Sequence, residues 1–143
     1  MKIKVLITLL AMAFALNTNA RDTKSMFSVE QAMSKAMAKE VIDGSVKFYF
    51  GDTKHAKIQT NFGEIKTNKK TNAFGKSDQE ACDWAFASAI KAFHAKAKEL
   101  GANAVVNIKS NYKNNPTKSD NQYQCGAGNI IAGVALKGDF VKL

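Results

Sequence analysis

This chain of 143 residues is poor in the residue types that usually announce chemistry. Arg21 is its only arginine, Pro116 its only proline and Trp84 its only tryptophan; His55 and His94 are the only histidines, Cys82 and Cys125 the only cysteines. A single arginine argues against specific nucleic-acid binding, because base readout and bidentate phosphate clamping draw on the planar guanidinium fork. The few soft ligands leave little from which to build a metal centre. Cys82 and His94 stand twelve residues apart on one expected helix, about 18 Å along its axis, and cannot share an ion. No metal ligand is assigned. No serine has a legible histidine and aspartate setting, so no catalytic residue and no enzyme activity is assigned, and no motif calls for a cofactor. The longest uncharged apolar run, Val5 to Leu16, falls short of the ~20 residues that a membrane span needs. There is no internal repeat and no low-complexity tract.

What is present begins with a leader pattern. Lys2 and Lys4 precede the apolar run, and Asn17-Thr18-Asn19-Ala20 offers a small residue at a cut site. The expectation is a signal peptide over residues 1–20, cleavage after Ala20, and a single periplasmic or secreted domain over 21–143 without a stable membrane anchor. No cysteine lies near the cut for lipid attachment. The formal net charge is +9, two units of which leave with the leader. An all-lysine excess of this kind solubilises a domain or meets an anionic envelope component. In an oxidising compartment an even cysteine count favours one disulfide, Cys82–Cys125. Closing a loop of about 40 residues is worth roughly 4 kcal/mol by chain entropy. A free or redox-active pair and a metal site are the alternatives.

The clearest local signals lie between Ser77 and Lys113. Ser77-Asp78-Gln79-Glu80 is a capping box with acids at the positive helix end. Cys82, Phe86, Ala89, Phe93, Ala97 and Leu100 form one stripe, and Gly101 stands where a left-handed C-cap belongs. Ala104, Val106, Ile108 and Tyr112 then read as one face of a strand, with Asn103, Asn107, Lys109 and Asn111 on the other. Upstream, a Ser28/Gln31 capping box opens a short helix with Val29, Ala32, Met33, Ala36, Met37 and Val41 on one side, ending near Gly44 and expected to lie against the sheet. Val46 to Phe50 reads as a strand and Ala56 to Lys66 as a second, with Asn68 to Lys76 as polar loop. Asn114 to Asn121 reads as a hairpin loop. Tyr123, Cys125 and Ala127 alternate inward, with Gly126 and Gly128 suggesting a bulge or bend. Ile130 to Leu136 makes a final strand that Asp139 to Leu143 extends. The expected fold is α+β: one mostly antiparallel sheet of about four to five strands covered by one long helix, plus a short N-terminal helix. Cys82 and Cys125 both fall on sheet-facing or inward positions, which supports their pairing.

Two surface features stand out. Gly75-Lys76-Ser77 is half of a phosphate-binding loop, but Lys70 occupies the position of its first glycine and no buried strand is expected before it. Nucleotide hydrolysis does not follow. A helix start flanked by Lys69, Lys70, Lys76 and Ser77 remains a candidate anion-binding site. Trp84 points roughly opposite the apolar stripe, on the side of Lys91 and Lys98. It is either covered by the N-terminal helix or an exposed anchor for a partner, with those lysines beside it. His55 reads as part of a turn and His94 as a solvated residue.

The segments Phe62-Gly63-Glu64-Ile65, GANAVVN (Gly101 to Asn107) and YQCGAGNIIAGVALKGD (Tyr123 to Asp139) resemble the RcsF-like/YbjQ-like group of small α+β domains. The resemblance covers roughly Phe62 to Lys137. It implies the fold and the Cys82–Cys125 link, an envelope protein as partner, and homo-oligomers in which Trp84 would have a use. The chain departs from RcsF-like sensors in lacking a lipidated N-terminal cysteine, a long disordered linker and a second disulfide. YbjQ-like relatives are associated with heavy metals, for which no ligand cluster is visible here. The stretch KKTNAFGKSDQEAC (Lys69 to Cys82) also looks like exported bacterial proteins labelled "excinuclease ATPase subunit". The expected function is a non-enzymatic exported binding or envelope-signalling domain; a binding module for a metal ion or anion and a thiol-redox enzyme are the alternatives.

Overall fold

The computed structural model describes residues 20–39 and 42–143. Residues 1–19 of the expected leader and position Val41 of the expected first helix lie outside the described residues. In chain order the elements are β1 (Thr23–Ser28), α1 (Val29–Ala38), β2 (Lys47–Phe50), β3 (Thr60–Asn72), α2 (Asp78–Leu100), β4 (Ala104–Ser110), a 3-10 turn (Tyr112–Asn114), β5 (Gln122–Ala127) and β6 (Ile131–Lys142). The fold class is the expected one: a six-stranded, mostly antiparallel sheet with one long and one short helix. β6 is the organising strand. β3 runs antiparallel along one side of it from Thr60↔Lys142 to Asn72↔Ile131. The other side is shared by β5, through Gly126↔Gly133 and Ala127↔Ala132, and by β4, through Ala104↔Val141 to Ser110↔Leu136. β1 adds to β5, and β2 adds to β4 as the one parallel pair.

Helix α2 forms where its caps and stripe place it. The Ser77 hydroxyl accepts from the Glu80 N–H at 3.1 Å. Gly101 takes φ 77°, and its N–H and that of Ala102 close the last turn on Lys98 and Ala97. A side chain would be strained at that left-handed angle, which is why glycine ends the helix. The buried stripe of Cys82, Phe86, Ala89, Ile90, Phe93 and Ala97 packs on Val105, Ile108, Tyr123, Cys125, Val134, Leu136 and Phe140. Alanines at 81, 85, 89 and 97 let the helix approach the sheet closely. Phe86 stacks on Tyr123 with ring centroids 4.4 Å apart, and Phe93 meets Phe140 edge-on at 5.1 Å. The Cys82–Cys125 disulfide joins helix to sheet inside this core, with both cysteines fully buried.

Five local expectations change. Thr23 to Ser28 forms β1, an element with too little hydrophobic pattern to announce itself. The second expected strand starts at Thr60 rather than Ala56, and the expected loop over Asn68 to Asn72 is strand. As an outer strand β3 is held mainly by its ladder to β6, so polar Asn, Lys and Thr residues are tolerated there. Third, Ala104 and Val106 do not share a face with Ile108. Asn107, at φ 53°, sits in a bulge between the pairs Val106↔Asp139 and Lys109↔Lys137. One extra residue inverts the alternation. Val105 and Ile108 therefore enter the main core, while Ala104 and Val106 join Val141 on the far side of the sheet. Fourth, β4 and β5 are not a hairpin, because each pairs with a different stretch of the same edge of β6. Nor is Gly126 a bulge: it stays in the ladder, and a Cβ there would stand 2.1 Å from the Tyr112 ring. Last, α1 ends at Ala38 rather than near Gly44, and it meets the sheet at its edge strand β1, with α2 as its other contact.

Candidate functional site: the cleft between the helices

A cleft of about 360 Å³ lies between α1 and α2, lined by Lys35, Ala36, Lys39, Glu80, Asp83, Trp84 and Ala87. Trp84 is off the apolar stripe, as its position on the helical wheel requires, and 41 % of it is exposed. Helix α1 reaches it only in part: the Lys39 ammonium sits 3.3 Å from the ring centroid, a cation–π contact on one face of the indole. The rest of the ring forms a wall of the cleft.

Below it lies a buried polar group that the sequence did not single out as a site. Asp83 is only 5 % exposed. It accepts from the Tyr123 hydroxyl at 2.7 Å and from Lys35 Nζ at 2.5 Å. A carboxylate this deep must be compensated, and here an ammonium from α1 and a phenol from β5 do it. Burial and the Asp83 carboxylate together push the Tyr123 hydroxyl far above the ordinary tyrosine range. The Lys35–Asp83 pair thus ties α1 to the core and fixes one side of the cleft. Its only sequence signal was an acid placed next to the stripe, in Cys82-Asp83-Trp84.

The two lysines grouped with Trp84 by helical spacing lie elsewhere. Lys98 donates to Asp43 at 3.1 Å. Lys91 borders a shallow depression with Lys69, Lys70 and Ser88. The four residues expected around the α2 start are likewise spread out, because Lys69 and Lys70 belong to β3, opposite Val134 and Gly133. Lys76 Nζ donates to the Asn72 carbonyl and Ser77 is spent on the cap. The α2 terminus carries its own anion: Asp78 is held by Arg21 through two bonds of 2.8 and 3.0 Å, which keeps its carboxyl below the usual range.

His94 is not solvated. Only 12 % of its side chain is exposed, and Nε2 lies 2.8 Å from Asp43 Oδ1 and 3.3 Å from Ser45 Oγ. These are the residue types of a nucleophilic triad, but the geometry is not one. Both partners meet the same ring nitrogen, and the Ser45 hydroxyl donates directly to Asp43 at 2.5 Å. A triad needs serine and aspartate on opposite nitrogens. The cluster instead fastens the α1–β2 connection to α2, and the Ser45 hydroxyl and N–H, with His94 and Lys98, hold the Asp43 carboxyl well below its usual range. His55, in the turn after β2, meets the Tyr49 ring edge-on with centroids 5.6 Å apart. Among the described residues no group of three or more metal-ligating side chains occurs, and no helix is long and apolar enough to cross a membrane.

Fold and cleft together define a small α+β domain stapled by a buried disulfide. Comparison with protein-family models, with curated proteins and with solved structures finds no match to this chain.

Proposed function

We propose that this chain is a non-enzymatic binding or envelope-signalling domain of the RcsF-like/YbjQ-like kind, exported to the periplasm, whose α1/α2 cleft receives an envelope partner through Trp84. The carrying observation is an indole 41 % exposed beside a concave surface, in a chain with no other tryptophan. Tryptophans in partly enclosed pockets dominate binding energy at protein interfaces. Here the ring is held in place by Lys39 and by a helix locked to the sheet through Cys82, so little freedom is lost on binding. The buried disulfide favours a staple over a redox centre, because thiol exchange needs an accessible sulfur. The leader-like residues before Arg21 and the lysine excess support the compartment.

The test is crosslinking in the envelope of a cell that expresses the protein with its leader. Trp84→Ala, alone or with Lys39→Glu, is expected to remove at least one crosslinked partner that the parent chain retains. An identical set of crosslinked species for all three proteins would end the interface reading.

A further inference from the structure

A second surface lies on the opposite side of the sheet, where no helix packs. Strand register sets three lysines abreast there. Lys66 of β3 is directly opposite Lys137 of β6, and Lys137 is directly opposite Lys109 of β4. Directly paired residues share a sheet face, and neighbouring strands are about 4.8 Å apart, so the row spans roughly 10 Å. Like charges directly opposite each other destabilise a sheet. Among the described residues no carboxylate comes within ion-pair distance of any of the three.

The row depends on the bulge at Asn107. Without that extra residue Ile108 would oppose Lys137 and Lys109 would point toward the core. The bulge seats Ile108 inside and brings Lys109 into line. Among the described residues the non-glycine positions with positive φ are Asn107, Lys113 and Asn114, and all three border this face. Backbone held in that region costs on the order of 1–3 kcal/mol per residue and tends to collect at functional sites.

Beside the row the sheet dips. Asn68, Asn111 and Asn114 surround a cleft of about 240 Å³ whose floor is Ala135, with Lys66 and Lys113 at its edge. In the next rung of the ladder Lys70 lies opposite Gly133. Small residues at 133 and 135 leave the amides and ammonium groups standing above a shallow floor. On the other side Glu64 and Asp139 form an acidic rung, about 7 Å along the strands, and Asn107 donates to Asp139. The acidic rung bounds the lysine row on one side, and at the far edge of the cleft Lys113 is already paired with Asp22 at 2.6 Å, so the cations left for a ligand are those of the row itself.

We propose that the Lys66–Lys137–Lys109 row and its asparagine-lined cleft bind an anion carrying two or more phosphate groups. The surface fits that chemistry. Lysine ammonium groups act as compact point charges toward phosphate, amide N–H groups supply further donors, and spaced cations neutralise a multivalent ligand better than a single charge. The surface has no arginine fork, so it is not suited to reading bases. This site is separate from the Trp84 cleft and stands or falls independently of it.

The test is calorimetry of the oxidised protein with inorganic tripolyphosphate at low ionic strength, backed by sedimentation with vesicles of phosphatidylcholine containing cardiolipin, a lipid with two phosphate groups. Saturable binding is expected, weakened at least tenfold in a K66Q/K109Q/K137Q variant and within twofold of the parent in a K54Q/K57Q/K96Q control of equal charge. Tripolyphosphate binding alone would assign a soluble ligand. Vesicle binding that tripolyphosphate displaces would assign a phosphorylated lipid headgroup. No heat with millimolar tripolyphosphate and no sedimentation with vesicles would overturn the proposal, as would equal loss of binding in the control variant.

Discussion

The two faces of this sheet are built from the same strands and do opposite work. Along β6, Ala132, Val134, Leu136 and Phe140 turn toward α2 and are fully buried. Gly133, Ala135, Lys137 and Asp139 alternate with them and face away. The helix-covered side holds the aromatic stack, the disulfide and the buried Asp83 network. The other side has a small apolar island of Ala104, Val106 and Val141 with Tyr49 and Leu143 packed against it, and beyond it lie lysines, asparagines and small residues. A strand period of two is enough to separate a folding surface from a binding surface within one ladder. Changes on the covered face should therefore cost stability, and changes on the open face should cost binding and leave the fold intact.

The largest expected effect is at the staple. Cys82→Ala combined with Cys125→Ala should lower unfolding stability by about 2–5 kcal/mol, measured by denaturant unfolding. An unchanged midpoint would show that the link contributes little to the covered face. Next comes Asp83→Ala, which leaves the fully buried Tyr123 hydroxyl without its acceptor. A loss of about 1–3 kcal/mol is expected, and Tyr123→Phe in the same background should recover part of it. If the two changes simply add, the hydroxyl and carboxylate are not coupled.

A smaller effect concerns one tyrosine from each face. Desolvation and the Asp22 carboxylate push Tyr112, over the open face, up to about 12, and Tyr123 is raised further by burial and Asp83. Their folded-state values exceed the ordinary value near 10, so the stability they contribute is complete below pH 10 and is lost as pH rises above it. In an absorbance titration Tyr112 should ionise near pH 12 and Tyr123 only with unfolding. Full ionisation of all tyrosines at pH 10.5 with the fold intact would contradict the Asp83–Tyr123 bond.

The sequence was most informative where structure is local. Ser77, the stripe from Cys82 to Leu100 and Gly101 specify α2 without help from the rest of the chain, and the disulfide followed from compartment and facing. Strand β3 was harder to see because Asn68 to Asn72 become strand only when Ala135 to Ile131 lie opposite them. The face of Ile108 was misread because a bulge at Asn107 inverts every position after it, and asparagine does not mark a bulge as glycine would. Sheet order was hidden for the same reason: β5 reaches β6 through a short turn, but nothing near Ser110 indicates that β4 pairs with β6 as well. Trp84 was legible as a candidate from its own helix. The Lys35–Asp83–Tyr123 network joins three elements across 48 and 40 residues, and the lysine row depends on the register of three strands, so neither could be read from spacing.

The division between the two faces is tested most directly by the melting temperature of K66Q/K109Q/K137Q without ligand. The account predicts a value equal to the parent's or a few degrees higher, because relieving like-charge rungs is worth about 0.2–1 kcal/mol each. A fall of several degrees would contradict it, showing that the three lysines hold the fold together.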